Sequence, residues 1–457
     1  MSSSVPAASD RSRLTSYLRF LLLTAILGYA VLYLSTPIAQ SDRATREDQN
    51  LFVLGMGVLG LFLASLSVRR QSRAQSPDRR AEWLALALLC YIAFQLLPLP
   101  VSVLRVLSPA RADLIEALAP LGLRSSFFPL SVAPSLSLVH FLLFGAYVVV
   151  FFLVRQFTRS SKDNPWLTTL PILGIAAWQG AWGVQQFVSG GDQSFAHGTY
   201  PVKNHFAGML EMSLPLAVAF GVVALQKGDS NRPLSTSAAV RAAIGFSAAA
   251  LMLGGILSSL SRMGMVSCIG SLLVMGILAL SIKRGKKRWP ILVASGLAVV
   301  LALASFAPAQ LVVRFSEIST EGRLDVGKET LRLIAAYPLF GTGLGGYQSA
   351  FEKFKTTGFA LAQDYAHNDY LQFFAELGLV GFLIGGAFLF LVLTKSVRSG
   401  IGNRDLDRRW LGLACSGALA AILIHSVADF NLYVPANAML LAWICGIAAG
   451  GLVDSPE

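Results

Sequence analysis

Charge is what this chain has least of. Only 14% of its 457 residues are Asp, Glu, Lys or Arg, while 54% are hydrophobic and the mean hydropathy is +0.61. So few charges cannot coat a soluble fold of this length, so the composition predicts an all-α, polytopic integral membrane protein. Cysteine is scarce as well. Cys90, Cys268, Cys415 and Cys445 all fall in hydrophobic stretches and form no close-spaced pair, which excludes a cysteine cluster or a disulfide frame and leaves them as small core residues. No Gly-x-x-x-x-Gly-Lys-Ser/Thr run occurs, so this chain carries no ATPase motif of that type. The phrase Gly341–Gly346 only imitates a dinucleotide fingerprint, because no strand precedes it, and reads as a flexible turn. Internal repeats and matched broken helices are also missing, which counts against a secondary transporter.

What is present is a series of apolar runs. Twelve candidate spans of roughly 18 to 24 residues centre near Ala25, Leu59, Leu88, Ala146, Ile175, Pro215, Met252, Leu273, Ala298, Leu383, Ala418 and Ala442. Several are rich in Gly and Ala, as close helix packing in lipid requires. Residues 1–457 therefore read as a single transmembrane domain. Arg11 and Arg13 precede the first span without a small-residue cleavage site, so that span reads as a retained helix and not a signal peptide. Most of the 37 basic residues lie in the N-terminal region and in the loops around 69–80, 155–162, 227–241, 283–288 and 395–409. Short cytoplasmic loops collect positive charge, so these loops and both termini are expected on the cytoplasmic side. The opposite face then receives the 192–203 loop, the Ser261–Arg262 turn, a large loop over 309–373 and the turn around Asp429. The net charge of +12 follows from orientation, and the scattered cationic loops lack the aromatic interleaving of a nucleic-acid surface.

The external face holds few titratable groups, and they are of particular kinds. Tyr365-Ala-His367-Asn368-Asp369-Tyr370-Leu-Gln372 opens a hydrophobic segment. A helix starting near Asn368 or Asp369 puts His367 at its N-terminus, where the helix dipole disfavours an imidazolium and a neutral ring can accept a proton. The plainer alternative is a capping segment in which Asn368 or Asp369 satisfies free backbone N–H groups. Arg262 lies in a short turn between two spans, where a guanidinium snorkels or binds an anion. Arg323, with Arg314 and Arg332 near it in sequence, adds planar donors of the kind that grip phosphate. Ser319 or Thr320 can cap a helix from about Arg323 to Ala336, with Leu324, Leu331 and Ala335 on one stripe, lying along the membrane surface. Lys203, Asn204 and His205 begin a span on the same side and suit either phosphate and sugar hydroxyls or an interfacial anchor. Glu211 and Glu376 lie inside their spans and either orient a catalytic group or tie helices together. His425 and Asp429, one helical turn apart, read as a structural pair. His140 reads as a satisfied core histidine. Tyr347, Phe351 and Tyr370 could stack on sugar, although aromatics populate every membrane interface. Arginines, a neutral histidine and an entrance from lipid suit a lipid diphosphate.

These residues resemble a known family. His197-Gly-Thr-Tyr-Pro-Val-Lys-Asn-His-Phe-Ala-Gly208, the Ser261–Arg262 turn, Gly322–Asp325 with Pro338–Gly345, Ala366–Gln372 with Glu376–Gly381, and His425 to Asn437 are similar in order and placement to the O-antigen ligase and polymerase superfamily. The turn reads Ser-Arg-Met-Gly here, where many relatives have Ser-Arg-Gly-Gly, and the arginine is kept. The resemblance implies a GT-C-like bacterial inner-membrane glycosyltransferase with short helices in a large periplasmic loop. It implies a donor glycan on undecaprenyl diphosphate, no cofactor and no metal, and a periplasmic site with His367, Arg262 and Arg323 as the catalytic set. The acceptor is expected to be lipid A-core, as for a ligase. A second lipid-linked glycan, as for a polymerase, and a protein hydroxyl are the alternatives. A non-catalytic glycolipid flippase would instead need ionisable groups along an internal path, and here they gather at one face.

Overall fold

The computed structural model describes residues 8–29, 54–60, 78–122, 125–161, 164–190, 195–227, 235–281, 321–356 and 364–450. They are mostly helical. In chain order the helices are α1 (Ala8–Tyr29), α2 (Arg80–Leu96), α3 (Val101–Leu107), α4 (Pro109–Leu118), α5 (Pro134–Ser160), α6 (Leu170–Val188), α7 (Lys203–Gln226), α8 (Thr236–Ser258), α9 (Arg262–Ser281), α10 (Glu321–Ala336), α11 (Tyr347–Phe351), α12 (Asp369–Gly402), α13 (Leu406–His425) and α14 (Pro435–Ala449). A further helical stretch covers 54–60. Five of these, α5, α7, α8, α9 and α12, are long and apolar enough to cross a membrane. The remaining helices are shorter or more polar, and the span expected at Ala298 lies outside the described residues.

Helix α7 is buried along almost its whole length and packs against α6, α8, α9 and α13. With lipid on the outside, such contact depends on close backbone approach more than on hydrophobic exclusion. Gly245 of α8 meets α7 at Gly221, where an added Cβ would stand 2.6 Å from the backbone nitrogen. The bundle has two polar ends. At one, Arg155 pairs with Glu82, Lys227 with Asp407, and Lys395 with Asp78 at 2.9 Å. The other end carries the site described below.

Helix α12 is broken. Gly378 sits at φ 60° and ψ −170°, which ends one helical segment and starts another. A break inside a span leaves backbone groups that lipid cannot satisfy. The Pro338–Gly343 turn satisfies them: Leu379 N donates to Pro338 O at 2.9 Å, Thr342 N to Ala375 O at 2.9 Å, and Gly343 N to Glu376 O at 2.9 Å. Tyr91 Oη donates to Leu377 O at 2.7 Å, and Gln95 Nε2 to Glu376 O at 3.0 Å. The contact needs glycine on both sides, because a Cβ on Gly341 would lie 2.3 Å from Glu376 O and one on Gly378 2.4 Å from Leu339 C. The turn is therefore a fixed wedge and not the flexible loop its sequence suggests.

Two segments form a small lobe at this end. Helices α3 and α4 are clipped by a two-stranded pair in which Leu99 faces Phe128 and Pro100 faces Phe127. They bury Leu104, Ile115 and Leu130 against Phe94 and Phe340. Val132 N donates to Thr342 O at 2.8 Å, joining this segment to the wedge. Helix α10 begins at Glu321, with Ser319 and Thr320 outside the described residues. It buries Val326, Leu333 and Thr330, while the stripe of Leu324, Leu331 and Ala335 is exposed.

Candidate functional site

Four helix ends meet where the sequence placed its polar residues: the N-termini of α7 and α12, the C-terminus of α13, and the start of α10. The turn at 426–430, just after α13, holds them together. Asp369 N donates to Ser426 O at 2.9 Å, Asn368 Nδ2 to Val427 O at 2.8 Å, and an Arg323 guanidinium nitrogen to Ala428 O at 3.1 Å. The next residue, Asp429, accepts from Asn204 Nδ2 at 2.7 Å. Phe430 then packs against three rings: Tyr365, stacked at 4.0 Å, His205 edge-on at 4.7 Å, and His367 edge-on at 5.2 Å.

His367 occupies a left-handed backbone position, φ 51°, immediately before the N-cap of α12. Such a conformation is uncommon for a residue with a Cβ, and the ring that follows from it meets Phe430. Asn368 is the cap: its Oδ1 accepts from Leu371 N at 3.0 Å. The two readings of the motif are thus divided between neighbours, with Asn368 capping and His367 projecting. Burial pushes His367 below the usual histidine range. The charge of Asp429 opposes that shift, and Arg323 and His205 reinforce it. The imidazole is accordingly held neutral. Asp429 keeps its charge despite burial, because His205 and His425 beside it and the Phe430 N–H hold its carboxyl well below the usual carboxylate range. His205 Nε2 approaches Asp429 Oδ1 at 3.5 Å, an ion-pair distance beyond good hydrogen-bond geometry.

The expected residues separate into those the fold gathers and those it does not. His367, Arg323, Asn204 and His205 converge on the 426–430 turn. Lys203 extends the group toward Arg262: its Nζ lies 3.5 Å from Leu260 O, two residues before that arginine, and 4.7 Å from the Phe195 ring centroid. Arg262 opens α9, where Ser261 Oγ accepts from Gly264 N at 3.1 Å. Arg332 does not join. It is exposed, and nine residues of helix put it about 13 Å beyond Arg323 on the opposite face. Arg314 lies outside the described residues. Tyr347 is a correction: it is 1% exposed, hydrogen-bonded to Thr330 at 2.7 Å and stacked on Phe351, so neither ring offers a face to sugar. Asp369 is also turned inward, accepting from Ser426 Oγ at 2.7 Å. Tyr370 donates to Leu423 O at 2.6 Å and lines an apolar cavity of about 420 Å³ with Phe373, Phe144 and Tyr147. Asp369, Ser426 and Tyr433 line the same cavity, so it opens beside the polar cluster.

The buried carboxylates have partners too. Glu376 accepts from Tyr433 Oη at 2.9 Å and from Tyr347 N at 3.2 Å, which ties the broken helix to the lobe. Glu211 meets His425 Nδ1 at 2.9 Å. His140 Nδ1 reaches Leu136 O at 2.9 Å, but the residue is only half-buried and lines the same apolar cavity as Tyr370, so it is not the core histidine expected. Phe430 and Tyr365 went unassigned from sequence, because an aromatic in a chain this apolar carries no signal of its own.

Among the described residues, no group of three or more His, Cys, Asp or Glu side chains is arranged to hold a metal ion. Residues 247–384, under a third of the chain, match the family model described as O-Antigen ligase. No curated protein matches the chain.

Proposed function

With the chain belonging to the O-antigen ligase and polymerase superfamily, we propose that it transfers a glycan from undecaprenyl diphosphate to an acceptor hydroxyl at the periplasmic face of the bacterial inner membrane. Lipid A-core is the acceptor we assign. Both termini are cytoplasmic in this reading, residues 1–457 form one transmembrane domain of about twelve spans, and the 309–373 loop carries part of the site.

The observation that carries the reading is the convergence of a neutral histidine and an arginine on one turn beside an apolar cavity. His367 accepts the proton of the acceptor hydroxyl as the oxygen attacks the anomeric carbon. The bond from that carbon to the diphosphate oxygen breaks, and its electron pair leaves with the diphosphate. Arg323 and Arg262, with Lys203 beside them, stabilise the charge that grows there. The Asp429 carboxylate favours the imidazolium that forms on His367. Diphosphate is already a good leaving group, so guanidinium groups can take the part a divalent cation plays elsewhere, and a chelator should leave transfer unchanged.

His367→Ala should abolish transfer while insertion and abundance stay normal, and full activity in that variant would remove the base role. The acceptor is read from a deletion strain of the source organism. Long glycan accumulating on the carrier above bare lipid A-core supports a ligase, whereas single repeat units on both carrier and core support a polymerase.

A further inference from the structure

Glu211 and His425 are both 0% exposed, and the mechanism above gives them no task. Their side chains form a line into the site. Glu211 Oε1 lies 2.9 Å from His425 Nδ1, and His425 Nε2 faces Asp429 Oδ2 at 4.0 Å. The other oxygen of Glu211 is buried with no hydrogen-bond partner among the described residues. Glu211 comes from α7 and His425 from α13, so the couple also spans two tightly packed helices.

The charge states open to this line are few. His425 Nε2 makes no hydrogen bond to Asp429 across that 4.0 Å, but the field of the ionised carboxylate favours a proton on this nitrogen over a bare lone pair. If Glu211 is ionised, His425 is an imidazolium with both nitrogens protonated. If Glu211 carries the proton, it donates to Nδ1 and Nε2–H remains. Either way the pair holds one proton beyond the neutral ring and the carboxylate, its net charge is zero, and an N–H points at Asp429. A second carboxylate behind a histidine fixes tautomer and ring orientation in this way at many sites.

We propose that Glu211 and His425 are positioning residues that keep an N–H aimed at Asp429, and so set how strongly that carboxylate acts on His367. The proposal rests on His367 being the base. The other groups around the line are fixed by contacts already described: Asn204, His205 and the Phe430 N–H on Asp429, Asp369 held by Ser426, and Arg323 beside His367. When nothing holds the His425 N–H toward Asp429, that carboxylate is less compensated on that side. Its field then favours the imidazolium at His367, which needs a higher pH to return to the neutral base.

Two measurements on the full-length protein in lipid test this. The chain has five histidines, few enough for ¹⁵N-histidine NMR to resolve the Nε2-protonated tautomer of His425 between pH 5 and about 9. The proposal expects a protonated Nε2 with one sharp resonance throughout in the native protein, and a shifted or broadened one in Glu211→Leu, where nothing anchors Nδ1. In transfer assays, Glu211→Leu should move the acid limb of the pH profile to higher pH. Glu211→Gln, whose amide N–H can donate to Nδ1 and so hold the ring with its proton on Nε2, should reverse most of that shift. A native His425 protonated on Nδ1 alone overturns the proposal, and this needs no variant to fold. So does Glu211→Leu with an unmoved limb. His367→Ala, run alongside, separates the failures: if it retains activity the base reading itself is wrong, and if it is inactive while the Glu211 results fail, only this proposal falls.

Discussion

At the level of single residues, the site is a balance of charges around one imidazole, and each charge has a sign that can be read out. His367 is held below its ordinary range by burial, Arg323 and His205, against Asp429. A base must be unprotonated, so the acid limb of kcat/KM should lie below the value of about 6.5 of a free histidine. Asp429→Asn removes the opposing charge and should move the limb to still lower pH, with a fall in rate because the imidazolium is less stabilised. Arg323→Gln removes a cation and should move it up. A pH profile of each variant checks the pair, and shifts of the same sign in both would contradict the electrostatic assignment. His367, Arg323, Asn204 and His205 were legible in the sequence because polar groups are rare here and each needs a reason to be present. Phe430 was not, although it touches His367, His205 and Tyr365, since it is one of 28 phenylalanines. Tyr347 was misjudged for the related reason that burial cannot be read from an aromatic residue in an apolar chain.

At the level of elements, the start of α12 was foreseeable and its break was not. Asn368 before an apolar run is a strong helix start, and the structure uses it as the N-cap. Gly378 is one of 41 glycines, and nothing local marks it as the residue at positive φ. Its significance appears only when the Pro338–Gly343 wedge is seen filling the gap. Gly378→Ala strains a left-handed backbone, at a cost of about 1–3 kcal/mol, and drives a Cβ into the Leu339 backbone. We expect it to lower the melting temperature in detergent and to reduce transfer by displacing the segment that carries His367. A fully stable Gly378→Ala would show that the wedge tolerates a shift. The α3–α4 lobe was missed altogether, because two short helices and a two-residue strand pair leave no periodic pattern long enough to read.

At the level of the whole molecule, polarity between the two ends organises everything else. Lys/Arg counting placed most basic loops on one side, and the described residues gather Arg155–Glu82, Lys227–Asp407 and Lys395–Asp78 at one end with the histidine cluster at the other. The clusters could be separated into two ends from sequence because charge bias is summed over many residues, whereas their contacts depend on packing that no short window contains. Arg155 and Glu82 are both buried, and Arg155→Ala leaves that carboxylate with only the more exposed Arg79, 2.7 Å away, so it should cost about 1–3 kcal/mol, read as lost folded protein. Orientation is tested by placing one cysteine at Ser349 and, separately, at Arg404 in a Cys90→Ala background. A membrane-impermeant thiol reagent added outside spheroplasts should label the first and spare the second. Transfer with His367 as base can be measured with purified protein in liposomes given undecaprenyl-diphosphate glycan and lipid A-core across a pH series. Transfer should persist below the ordinary histidine range and vanish in His367→Ala at every pH. Transfer by His367→Ala at the native rate would contradict the base role.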